Sequence, residues 1–144
     1  MSHPPDILVV DDEPALREIT AEILAAEGYQ VRTAANGREA LDRVREDRPA
    51  VIVLDLMMPV LDGWAFIESY REMAGGDIPI VGVSAVLTPA AAERLRQLGV
   101  RVCLAKPFDL GELLECVARL VGRPAIGPGR DQPPPLVLDA VLQD

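Results

Sequence analysis

Five residues of this chain stand where an apolar run ends. Asp11 and Asp12 follow "DILVV", Asp55 follows "VIVL", Ser84 closes "IVGV", and Lys106 follows "VCLA". Three carboxylates drawn together repel one another. Each close pair costs about 1 kcal/mol in water-like surroundings and about 4 kcal/mol at an effective dielectric of 20. A fold that gathers them needs a compensating cation. All-oxygen ligation suits Mg²⁺, which keeps coordination positions open for phosphate oxygens. Lys106 adds a compact positive charge that phosphate also satisfies. Ser84 adds a hydroxyl donor. Together they describe a phosphoryl site, in which cation and lysine neutralise the equatorial oxygens and a carboxylate is the nucleophile. Asp55 is the best nucleophile candidate, because it alone sits on the central strand.

Each residue also has an ordinary reading. An Asp-Asp pair caps a helix or faces solvent, an Asp shortly before proline ends a turn, and Lys-Pro opens a loop. Their order on successive strands is what points to chemistry.

The elements that must position them can be read from periodicity. Strands are expected over 6–10, 29–35, 50–55, 78–85 and 100–107, with helices over 13–28, 36–48, 63–76, 88–99 and 109–122. The third strand is apolar throughout, as expected when both faces are buried. Leu16, Ile19 and Ile23 recur at helical spacing in the first helix, and Phe66, Ile67, Tyr70 and Met73 share one side of the third. Asn36 and Thr88 suit N-caps, Pro14 and Pro89 suit first turns, and Gly28 and Gly99 suit the positions after a last turn. Five strands alternating with five helices predict a parallel sheet covered on both faces, with right-handed crossovers. The five polar residues then share the carboxyl edge, where ligands bind in open α/β sheets.

Length and composition set the limits. The 144 residues suit one domain, spanning 1–122. Residues 123–144 are rich in proline and glycine and read as a tail with a short apolar end, "LVLDAVL". Such a tail can dock on its own domain, bind a partner, or stay an unstructured end. A net charge of −9 argues against nucleic acid and anionic membrane surfaces. No apolar run approaches the ~18–20 residues of a membrane span, and the N-terminus lacks a basic secretory n-region. These features point to a soluble, cytoplasmic protein. Cys103 and Cys116 have neither metal-binding spacing nor a disulfide framework, and read as inert core thiols. The single histidine, His3, is terminal, so histidine catalysis is not expected.

The runs "ILVVDDEP", "VLDLMMPVLDGW", "IVGVSA" and "CLAKPF" closely resemble the receiver domain of two-component response regulators, over residues 6 to about 122. The resemblance implies a flavodoxin-like (βα)5 fold with strand order 2-1-3-4-5. It implies that Asp55 accepts a phosphoryl group from a sensor histidine kinase or phosphotransfer protein. Asp12 and Asp55 side chains and the Met57 backbone carbonyl would hold Mg²⁺, with Asp11 acting through water. Ser84 and Lys106 would bind the phosphoryl group, and Pro107 would follow a cis peptide bond. Output to an unknown downstream protein would run through the face of the fourth helix, fifth strand and fifth helix, or through the tail. A homodimer is compatible with this pattern.

Departures carry expectations of their own. Cys103 replaces the aromatic residue that usually rotates on activation, which predicts a weaker or different output surface. Met57 and Val86 flank the site with apolar side chains that cannot orient water, which predicts a long-lived phosphoryl group. With no output domain following residue 122, a stand-alone receiver is expected. Two other readings compete. A pseudo-receiver would bind partners without phosphate, though it would be free to lose the acids and lysine. A dehalogenase-type phosphohydrolase would need an acid where Met57 stands. A dinucleotide-binding fold fits least, since no G-x-G-x-x-G follows the first strand.

Overall fold

The computed structural model describes residues 4–58, 62–73, 77–85, 87–100 and 102–122. The chain alternates β1 (Asp6–Val10), α1 (Pro14–Ala26), β2 (Gln30–Ala34), α2 (Gly37–Glu46), β3 (Val51–Asp55), α3 (Gly63–Glu72), β4 (Ile80–Ser84), α4 (Pro89–Gln97), β5 (Val102–Ala105) and α5 (Leu110–Leu120). The strands form one parallel sheet in the order β2-β1-β3-β4-β5, the flavodoxin-like arrangement expected.

Side chains alternate across a strand, and here both faces find a core. Ile7, Val9, Val51, Val53, Val81 and Val83 pack with Leu24 of α1 and with Leu113, Cys116 and Val117 of α5. Leu8, Val10, Ile52 and Leu54 pack on the opposite face, against residues of α2, α3 and α4 that include Leu41, Phe66 and Leu95. β3 and β4 are buried at every position because helices cover both sides.

Local chemistry sets the ends. Asn36 Oδ1 accepts from Glu39 N at 2.9 Å, and Thr88 Oγ1 accepts from Ala91 N at 3.1 Å, which satisfies N–H groups orphaned at a helix start. Gly28 and Gly99 take positive φ after α1 and α4. Several expected elements are shorter in the structure. Tyr29 N donates to Leu24 O, completing the end of α1 before β2 begins. Pro79 has no N–H for the ladder, and β4 starts one residue later. Val100 N donates to Leu95 O at the end of α4 and so belongs to the helix terminus, not to β5. Met73 is extended, which ends α3 at Glu72. In α1 the buried residues are Thr20 and Leu24, whereas Ile19 is 47% exposed. The apolar stripe of α1 is wider than the arc the sheet covers.

Cys103 and Cys116 lie buried on opposite faces of the sheet. Burial pushes each thiol up to about 12, so neither is a thiolate near neutral pH. A thiol reagent at pH ~8 is therefore expected to leave the folded protein unmodified and to label both cysteines after denaturation. Intact mass reads this directly, and prompt labelling of the native protein would contradict it.

Candidate functional site

The sheet brings the polar strand ends together. β1 and β3 are neighbours with Val10 opposite Leu54, so Asp11 and Asp55 leave the ladder side by side. Carboxylate oxygens of Asp11, Asp12 and Asp55 lie within 4.8 Å of one another. Asp11 and Asp55 are buried, and Asp12 is exposed at the opening. Ser84, also buried, comes one residue after Val83, the strand partner of Asp55. Met57 is 66% exposed.

The Asp55 carboxylate is held on both oxygens. Oδ1 accepts from Met57 N at 3.0 Å, and Oδ2 accepts from Lys106 Nζ at 3.0 Å. Lys106 Nζ also lies 3.7 Å from Asp11 Oδ2. The lysine's backbone N–H donates to Ser84 O at 2.8 Å, which joins the ends of β4 and β5. The Lys106–Pro107 peptide bond is cis. Asp11 Oδ1 accepts from Glu13 N at 2.9 Å, and Asp11 O accepts from Arg17 Nη1 at 2.8 Å.

Two of these positioning features were not among the sequence candidates. Arg17 reaches back from the first turn of α1 to the main chain of Asp11. Gly63 starts α3 against the end of β3, where a Cβ would lie 2.6 Å from Leu56 Cα and 2.7 Å from Asp55 O. Real side chains do not approach backbone that closely, so only glycine lets α3 begin here. Asp62 then caps α3 by accepting from Ala65 N at 2.9 Å.

Electrostatics follow from this packing. Burial raises Asp55 above the usual carboxylate range, and Asp11 adds to the rise. The Met57 N–H and Lys106 oppose it without reversing it. Burial alone would lower the Lys106 ammonium, but its hydrogen bond to Asp55 and the fields of Asp11, Asp55 and Glu13 leave it raised. Lys106 therefore stays charged at neutral pH. Three carboxylates outnumber this single lysine, so the site still favours a cation. Their oxygens offer the hard, all-oxygen donor set that Mg²⁺ takes. The residues present fit that ion.

Comparison with known proteins bears on what such a site belongs to. Residues 7–118 match the family model for the response regulator receiver domain. The chain belongs to that family. This receiver domain is 40% identical to the response regulator MprA of Mycobacterium sp. (strain KMS) over 141 residues, covering 96% of this chain and 60% of MprA. It is 43% identical to MprA of Mycolicibacterium vanbaalenii over 122 residues, 83% of this chain and 52% of that protein. The chain thus spans only part of the length of these relatives. Among solved structures, chemotaxis protein CheY4 of Vibrio cholerae superposes with a TM-score of 0.77 at 32% identity, covering 81% of this chain and 98% of CheY4. A response regulator receiver protein from Pseudomonas putida gives 0.78 at 31% identity, covering 83% and 99%.

The receiver domain's remaining sequence candidates fall in two places. Cys103 is fully buried in the core under α2, α3 and α4 and takes no part in the acid cluster. Val86 and the tail 123–144 lie outside the described residues. Among the described residues, no helix is long and apolar enough to cross a membrane.

Proposed function

We propose that this receiver accepts a phosphoryl group on Asp55 from the phosphohistidine of a sensor histidine kinase or phosphotransfer protein. The observation that carries this reading is the pairing of a buried Asp55 with Lys106 beside Asp11 and Asp12. An Asp55 oxygen attacks phosphorus, the P–N bond breaks, and the electron pair leaves with the imidazole. The product is an acyl phosphate. Lys106, 3.0 Å from Asp55 Oδ2, is placed to bind the incoming phosphoryl oxygens, and Ser84 supplies a hydroxyl from the next strand.

Asp12 and Asp55 would hold Mg²⁺, joined by the Met57 carbonyl, with Asp11 acting through water. The ion supplies positive charge to the phosphoryl oxygens. The chain's own residues set the geometry: Met57 N and Lys106 fix both oxygens of Asp55, and the β4–β5 link fixes Lys106 relative to Ser84. The new group adds about −1.5 to −2 charges. A population moved from 1:99 to 99:1 by that change needs about 5.5 kcal/mol of differential stabilisation. The switched surface is the α4–β5–α5 face or the tail, acting on a downstream protein in the cytoplasm.

Purified protein incubated with Mg²⁺ and acetyl phosphate is expected to gain a phosphate-sized mass, absent from Asp55→Asn. The gain should persist for minutes or longer, because the Met57 side chain carries no group to orient an attacking water. No gain in a folded, Mg²⁺-binding protein would overturn phosphoryl acceptance from a small donor and favour a pseudo-receiver. Decay within seconds would overturn the long lifetime alone.

A further inference from the structure

We infer that Arg17 is a positioning residue for the metal-binding acids, acting through the peptide bond between Asp11 and Asp12. The inference rests on the reading of the site as a Mg²⁺-dependent phosphoacceptor. Among the described residues, no hydrogen bond or ion pair holds the carboxylate of Asp12. Its placement therefore depends on its backbone. The Asp11 carbonyl and the Asp12 N–H belong to one rigid peptide plane. Arg17 Nη1 donates to that carbonyl at 2.8 Å, from α1. The preceding peptide is anchored too, since Asp11 N donates to Ala34 O at 3.1 Å on β2. The Asp11 side chain is fixed by Glu13 N at 2.9 Å. Arg17 thus restrains the tilt of the plane from which Asp12 hangs. Removing it would leave Asp11 held and Asp12 free to swing away from Asp55.

The sign of the effect separates positioning from charge. A guanidinium acting only through its charge would repel a dication, and its removal would tighten binding. Loss of a positioning contact weakens binding, typically by about 10-fold or more for partners of ligating residues.

The test is calorimetric titration of Mg²⁺, without phosphodonor, into wild type, Arg17→Met and Arg17→Lys. Arg17→Met is expected to bind about 10-fold more weakly, with Arg17→Lys between it and wild type. Acetyl phosphate labelling should slow at limiting Mg²⁺ and recover at saturating Mg²⁺. The metal-free thermal midpoint should move little, which separates the effect from loss of fold. Unchanged or tighter Mg²⁺ binding in Arg17→Met overturns the inference and leaves the functional reading intact. Should that variant fail to fold, wild-type affinity in Arg17→Lys overturns it instead. Absence of Mg²⁺ binding to wild type overturns the functional reading itself, and the inference with it.

Discussion

Lys106→Met is expected to slow phosphorylation of Asp55 by about 10²–10³-fold, the usual cost of losing one charge-stabilising donor in a transition state. The ammonium is the one cation of the described residues within ion-pair distance of both Asp55 and Asp11, at 3.0 and 3.7 Å. Methionine keeps much of the side-chain volume and removes the charge. The same substitution should destabilise the metal-free protein, because two buried carboxylates lose their counter-charge. The lysine is 19% exposed, so the loss should fall short of the about 3–5 kcal/mol typical of a broken buried pair.

Asp55→Asn should move metal-free stability in the opposite direction. Asp55 is raised by burial and by Asp11, so the fold disfavours its charged form. Well below its ordinary range the group is protonated in both folded and unfolded chains. As pH rises through the raised value, the folded protein must hold the ion, and stability is lost. Asparagine has no such loss. The variant should be the more stable at neutral pH, and the gap should close toward pH ~4. Denaturant titrations in EDTA across that range, with circular dichroism as the readout, check both variants. Equal midpoints for all three proteins at pH ~7 would contradict the electrostatic account.

Gly63→Ala is expected to lower stability by about 1–3 kcal/mol, the cost of overpacking, and to slow phosphorylation as well. A methyl at position 63 would meet Leu56 Cα at 2.6 Å and Asp55 O at 2.7 Å. Both contacts are backbone, so neither can rotate aside. The strain must move either α3 or the end of β3, which carries Asp55. A displacement near 1 Å of a reacting group can cost about 10²-fold in rate. Chemical denaturation and the rate of acetyl phosphate labelling give the two readouts. A folded variant with wild-type stability and rate would show that α3 begins elsewhere in solution.

The strand-end acids and Lys106 were legible in the sequence because a parallel sheet places every strand's carboxyl end on one edge. Asn36 and Thr88 were legible because caps are local chemistry. Gly63 and Arg17 were not. The need for glycine arises from the approach of α3 to residues 55 and 56, which no periodicity encodes. The reach of Arg17 to a carbonyl six residues earlier depends on how α1 leaves the sheet. Ile19 shows the same limit in reverse, since helical spacing marks it apolar while the width of the covered arc leaves it exposed. The starts of β2, β4 and β5 fell later than periodicity suggested for a related reason. Their flanking N–H groups were committed to a helix terminus, or were missing at proline.

The alternation of side chains has a consequence for how such a domain diversifies. Among the described residues the two packed layers share none: Val9 and Val53 belong to one, Leu8 and Leu54 to the other. The sheet is a partition between them. A lineage can rework the volume beneath α1 and α5 without renegotiating the layer beneath α2, α3 and α4, since substitutions without shared partners combine nearly additively. Each side can drift toward its own partners while the strand ends that carry the acids stay where the backbone puts them.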